Sequence, residues 1–314
     1  MSTRRPFKTI FCCAIVAVFA VFIATIDGVG AFPLQGKTVL VTGSGGGIGK
    51  GIARVLAESG AKIILHYHTR KEEANAFRDE LGPEKCLGVL HCDFRDIGSI
   101  PSFFREAQAL CRGEHQEQEQ CDTGSGKLDV LVNNAGAITK MPLGDDDDNL
   151  TVWRDTMAVN LHAPNLLGKF FAEQFRDDVG SNISDKEESR GVVLNVGSIH
   201  GERSNEYMGA YAASKAALES LTRTMAMEYA SLGVRANLIA PGIVPVERTE
   251  KIFEESPEVL RGWTDKIPLG RAGSVDEVAR ACLPLIENEW ITGVVWQIDG
   301  GMMARANMPV RPRP

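Results

Sequence analysis

Tyr211 and Lys215 stand four residues apart in a stretch whose pattern predicts a helix from about Tyr207 to Tyr229. On a helix that spacing puts both side chains on one face, within reach of one ligand. A tyrosine hydroxyl titrates at about 10 and is a poor base near neutral pH, but an adjacent ammonium stabilises the phenolate and lowers that value. The pair can then exchange a proton with a substrate. Ser198 lies thirteen residues earlier, at the end of a predicted strand, where a hydroxyl can hydrogen-bond a substrate carbonyl or simply cap a turn before Ile199. A hydrolase elbow, Gly-x-Ser-x-Gly, is absent, because Gly197 directly precedes Ser198 and Val196 holds the first position of that motif.

A second stretch that can do chemistry runs from Lys37 to Gly49: a short apolar strand, a loop dense in glycine, then a helix over Lys50 to Ser59. Unpaired backbone N–H groups and the positive end of a helix dipole converge there, which makes a site for a pyrophosphate. The nucleotide-hydrolase loop fails, since Ser44 stands where its first glycine belongs and Gly51 where its hydroxyl belongs, and Gly-x-Gly-x-x-Gly matches in no register. What remains is Thr42-Gly43-x-x-x-Gly47-x-Gly49.

The elements that must position these groups alternate in type. Strands are predicted at Ala61 to Tyr67, Val89 to Cys92, Leu128 to Val132, Val192 to Val196, Arg235 to Ile239 and Val294 to Ile298. Helices are predicted over Lys71 to Leu81, Pro101 to Leu110, Val152 to Phe175 with a kink at Pro164, Lys251 to Lys266 and Val275 to Ile286. Strands alternating with helices at this spacing predict an α/β fold, a doubly wound, Rossmann-like parallel sheet in a single domain.

Composition narrows the function classes. The 314 residues are 44% hydrophobic, enough for a full core, and the net charge of −7 with no basic cluster outside the termini disfavours nucleic-acid binding. Seven cysteines lack Cys-x-x-Cys spacing, so zinc is not expected; Cys111 and Cys121, flanking a polar insertion at 112–127, either pair in an oxidising compartment or stay as thiols. The run Asp145 to Asp148 lacks the alternation and glycine of a calcium loop and reads as an exposed loop before the helix around Trp153. No metal is expected.

Thr42 to Gly49, Asp93, Asn133 to Gly136, Asn160, Ser198, Tyr211, Lys215 and Pro241-Gly242 occur in the order and approximate spacing of the classical short-chain dehydrogenases/reductases, and the resemblance covers residues 34–304. It implies an oxidoreductase that moves hydride between a nicotinamide cofactor and a small carbonyl or alcohol, assembled as a homodimer or homotetramer. Tyr211 would be the acid/base, Lys215 would lower its pKa and hold the nicotinamide ribose, Ser198 would polarise the carbonyl, and Asn160 would support a proton relay. Thr42, Gly43, Ser44, Gly47, Ile48 and Gly49 would form the cofactor loop. Asp93 would contact adenine, Asn133, Ala135 and Gly136 would line the central crevice, and Pro241 and Gly242 would approach the nicotinamide. The second strand ends Tyr67-His68-Thr69-Arg70, with no carboxylate before Glu72, so NADP is expected over NAD, with His68, Thr69 and Arg70 at the 2′-phosphate. An inert relative that keeps the fold as a dinucleotide-binding regulator is the alternative, although such proteins typically lose the tyrosine or lysine that this chain keeps.

Residues 1–31 are set apart from the fold. Arg4, Arg5 and Lys8 precede an apolar run from Ile10 to Ile26, followed by the small residues of Val29-Gly30-Ala31, as in a signal peptide or a short membrane anchor. Positive charge before the run predicts a lumenal domain in the secretory pathway, in which Asn149-Leu150-Thr151 and Asn182-Ile183-Ser184 would be glycan acceptors. Ala31-Phe32-Pro33 also resembles the cleavage junction of plastid-directed presequences, so a plastid route is the second expectation. A mobile tail is expected over 305–314.

Overall fold

The computed structural model describes residues 33–113, 126–177 and 189–305. Strand β1 (Thr38–Val41) leads through the glycine loop into helix α1 (Gly47–Glu58), followed by β2 (Lys62–Tyr67), α2 (Lys71–Leu81), β3 (Cys86–His91) and α3 (Ile100–Cys111). The second half runs β4 (Val130–Asn133), α4 (Thr151–Met157), a π-helical turn (Ala158–His162), α5 (Ala163–Glu173), β5 (Gly191–Val196), α6 (Gly209–Glu228) and β6 (Val234–Pro241). Helices α7 (Glu247–Glu255), α8 (Pro257–Thr264), α9 (Val275–Arg280) and α10 (Cys282–Glu287) precede β7 (Val295–Ile298).

All neighbouring strands pair in parallel, in the order β3-β2-β1-β4-β5-β6-β7. Alternation sorts each central strand between two cores: Val39, Val41, Val130 and Val132 join Ile52, Leu56 and Phe77 on one face, while Leu40 and Leu131 join Phe103, Leu167 and Phe171 on the other. Burial on both faces explains why these strands read as unbroken apolar runs. Chain order reverses between β1 and β4, and a crevice opens there at the strands' C-terminal ends.

Three expected helices are each divided. The stretch 152–175 is crossed by the π turn at 158–162, which ends as Pro164 enters the first turn of α5. Pro164 has no N–H to give the Asn160 carbonyl four residues back, so regular α pairing stops there. Pro257 opens α8 and so splits the span 251–266, and the span 275–286 is divided at Ala281. Asp146 and Asp147 accept backbone N–H groups of Val152, Trp153 and Thr151 at 3.0–3.1 Å, so the acidic run caps α4. Cys111 is fully buried. Cys121, Asn182, the leader at 1–31 and most of the tail lie outside the described residues; among the described ones no helix is long and apolar enough to cross a membrane.

Candidate active site

The glycine loop is shaped by close approach. Gly43 has φ +66, and a Cβ there would meet the Ala135 Cα at 2.9 Å; a Cβ on Gly49 would run into the Gly43 carbonyl and the Asn134 side chain. The loop is braced from behind. Thr42 Oγ1 accepts the N–H groups of Asn134 and Ala135 at 2.9 and 3.0 Å, binding the loop to the end of β4. Ser44 exchanges backbone and side-chain hydrogen bonds with His66 on β2.

His66 is the brace that sequence reading missed. Its Nδ1 accepts the Gly43 N–H at 2.9 Å, which requires the proton on Nε2, 3.1 Å from the Cys92 carbonyl. The ring stacks on Phe94 with centroids 4.4 Å apart, and burial holds its pKa down at about 4. A neutral imidazole in one tautomer thus ties the glycine loop to the end of β3.

Across the crevice, α6 carries Tyr211 and Lys215, both buried. The Lys215 ammonium donates to the Val196 carbonyl at 2.7 Å and lies 5.8 Å from the centre of the Tyr211 ring. Complete burial lowers its pKa to about 8. Ser198 accepts the His200 N–H at 3.2 Å, so it does cap the turn after β5, yet it also lines the crevice. Accepting uses a lone pair and leaves the hydroxyl proton to be donated.

Asn160 is fixed through its side-chain amide. Its amide oxygen accepts the Ala137 N–H at 2.7 Å, and its amide nitrogen donates to the Ala137 carbonyl and to Ser214 Oγ. Both amide protons are spent on the scaffold, so the side chain braces the crevice floor.

Gly43, Gly47, Ile48, Gly49, His68, Thr69, Arg70, Asp93, Ala135, Gly136, Ser198, Tyr211, Lys215, Pro241 and Gly242 line one crevice of about 620 Å³. Thr42, Ser44, Asn133 and Asn160 are buried just behind its wall. Asn133 donates to Asn195 at 2.8 Å, and Asn195 donates to Thr222 on α6 at 2.8 Å, so β4, β5 and α6 are joined by a buried polar chain. At the outer end Arg95 grips Asp93 at 2.6–3.0 Å and holds its carboxyl down at about 2. Arg95 was not foreseen; only its proximity to Asp93 in sequence pointed to it.

A close-approach glycine cradle at the switch point of a parallel sheet, facing a buried Tyr–Lys pair, has the arrangement of a dinucleotide-dependent oxidoreductase; Gly43, Gly47 and Gly49 line the crevice where α1 begins, side-chain-free backbone beside a helix N-terminus that fits a pyrophosphate. The family model described as enoyl-(acyl carrier protein) reductase matches residues 43–303. The galactitol 2-dehydrogenase (L-tagatose-forming) of Cereibacter sphaeroides is 34% identical, over 86% of this chain and 96% of its own. A 2-dehydro-3-deoxy-D-gluconate 5-dehydrogenase of Pseudoalteromonas atlantica is 31% identical, over 87% and 98%. Among solved structures, one from Beutenbergia cavernae, provisionally described as an NAD(P)-dependent gluconate 5-dehydrogenase with NADP bound at low occupancy, superposes with a TM-score of 0.72 at 30% identity, over 88% of this chain and all of its own. The chain belongs to the short-chain dehydrogenase/reductase family. It is an NAD(P)-dependent oxidoreductase acting on CH–OH and C=O groups.

Proposed function

We propose that the chain is an NADP-preferring oxidoreductase in which Tyr211 exchanges the proton with the substrate oxygen. The observation that carries this reading is the buried Lys215 ammonium, 5.8 Å from the Tyr211 ring centre and fixed by the Val196 carbonyl. A bound nicotinamide supplies or accepts the hydride. In the reducing direction Tyr211 gives its proton to the carbonyl oxygen while Ser198 donates a hydrogen bond to the same atom; oxidation runs in reverse. Lys215 stabilises the phenolate formed, and its own lowered pKa lets a proton pass onward near neutral pH. Asn160 acts through its main chain, whose carbonyl has no regular α partner at Pro164.

NADP preference is supported by the absence of a carboxylate between the end of β2 and Arg70. Relatives named for galactitol and for a keto-deoxy sugar acid make polyhydroxylated alcohols and their ketones the first substrates to assay. The purified chain should consume NADPH with at least one such ketone, faster than NADH. Dinucleotide binding with no turnover across sugars, ketones, quinones and ketoacyl thioesters would favour the inert alternative.

Delivery to the secretory pathway is part of this proposal. Asn149 is exposed in the turn just before α4, as a glycan acceptor must be, so gel mobility should rise after glycan removal from the native cell's protein; unchanged mobility would count against a lumenal domain.

A further inference from the structure

The donors at the mouth of the glycine loop already face a carboxylate of this chain. Glu247, the first residue of α7, places its two oxygens 3.0 and 3.3 Å from the Gly47 N–H at the start of α1, two hundred residues away in sequence. The same carboxylate lies 3.8 Å from the guanidinium of Arg70. Arg70 in turn lies over Gly46, where even a Cβ would collide with its guanidinium. The position of Glu247 is set by its neighbours: Val246 packs over Gly47, 3.3 Å from where a Cβ would be, and Thr249 closes a turn back onto the Val246 N–H and carbonyl. Val244, Val246, Glu247 and Thr249 together form the outer wall of the crevice.

A carboxylate is a fair chemical copy of one edge of a phosphate: two anionic oxygens that accept from a helix N-terminus and a guanidinium. The Gly47 N–H and Arg70 are what a cofactor phosphate would use, and one N–H cannot serve two anions at full strength. We propose that Glu247 is a resident competitor for the phosphate-binding donors of the crevice, so that dinucleotide binding must displace its carboxylate. Arg70 is half of what Glu247 holds, and only a 2′-phosphorylated dinucleotide makes full use of Arg70. Glu247 therefore weakens NADPH binding more than NADH binding, and the outer wall is coupled to the cofactor through one side chain. The inference rests on the oxidoreductase reading for the identity of the displacing ligand, and on geometry alone for the competition.

The test compares the full chain with Glu247→Gln, which keeps the side chain's size and removes its charge. Both side chains of the Arg70–Glu247 pair are partly exposed, so the effect is modest: NADPH should bind roughly 2- to 10-fold more tightly to the variant, and NADH by less. In the Arg70→Ala background the same substitution should give a smaller gain, because half of the contact is gone. Inorganic pyrophosphate, which has the anion chemistry without adenosine or nicotinamide, should raise the melting temperature of Glu247→Gln at a lower concentration than it does for the natural chain. Equal or weaker NADPH binding by Glu247→Gln would overturn the proposal, weaker binding because it would make Glu247 a cofactor ligand. If neither protein binds either dinucleotide while the pyrophosphate difference persists, the competition stands and the cofactor reading falls.

Discussion

The two walls of the crevice are built on opposite electrostatic terms. The wall proposed for proton transfer keeps Ser198, Tyr211 and Lys215 at 4–8% exposure, with Asn160 fully buried behind it, each held by hydrogen bonds or packing to β5, α6 or the π turn. The outer, phosphate-facing end uses ion pairs whose side chains are 31–56% exposed, Arg70 with Glu247 and Arg95 with Asp93. Burial makes a charge costly and moves its pKa, which is what proton transfer needs; exposure keeps charges cheap to exchange, which is what reversible binding of an anion needs. The glycine loop lies between them and takes its rigidity from a third device, the neutral His66.

The sharpest contrast should come from Tyr211→Phe. Turnover is expected to fall by roughly 10²- to 10⁴-fold with NADPH affinity unchanged, because the ring stays and only the transferable proton goes. Tyr207→Phe is the control, since Tyr207 is 54% exposed and outside the crevice. A silent Tyr211→Phe beside a damaging Tyr207→Phe would reverse the assignment of the proton-transfer wall.

His66 predicts an acid-sensitive brace between the walls. Its folded pKa of about 4 lies below the ordinary 6.5, so the unfolded chain takes up the proton first. The stability this neutral ring contributes is complete above pH 6.5 and is lost as pH falls through about 4, a change of about 3 kcal/mol. Urea unfolding at pH 7 and at pH 4.5 should show a smaller pH dependence for His66→Gln than for the natural chain. An identical dependence would show that the imidazole is not the brace described.

Lys215→Met should separate stability from activity. The folded pKa of Lys215, about 8 against 10.5, means that burying its ammonium costs stability at neutral pH, and that this cost is relieved as pH rises from about 8 through 10.5. Allowing for the lost bond to the Val196 carbonyl, the variant should be more stable at pH 7 by about 2 kcal/mol, with that advantage gone at pH 10.5, and inactive throughout. Denaturant titrations at the two pH values measure it; a destabilised variant at pH 7 would mean that the hydrogen bond outweighs desolvation.

The smallest effect belongs to the exposed wall. Arg70→Asp should weaken NADPH binding by roughly 3- to 30-fold relative to NADH, because it removes a phosphate partner and sets a second carboxylate beside Glu247. Titration of both dinucleotides gives the ratio, and an unchanged ratio would move the 2′-phosphate site away from Arg70.

By itself, the sequence determined the order of strands and helices, the glycine cradle and the Ser198–Tyr211–Lys215 set. These follow from local rules: strand burial, helical spacing and the intolerance of close approaches for any Cβ. It also marked Asn160, but could not say that its amide would be spent on Ala137 and Ser214. Only the tertiary structure decided which residues of each motif face the crevice and which stand behind it. Thr42 and Ser44 flank Gly43 in sequence, yet both turn inward to bind neighbouring strands. Parallel register sets Asn133 beside Asn195, and the crossing of the chain brings Glu247 onto Gly47. Partners so far apart in sequence leave no periodic or spacing signal, because the contact exists only once the sheet has chosen its strand order.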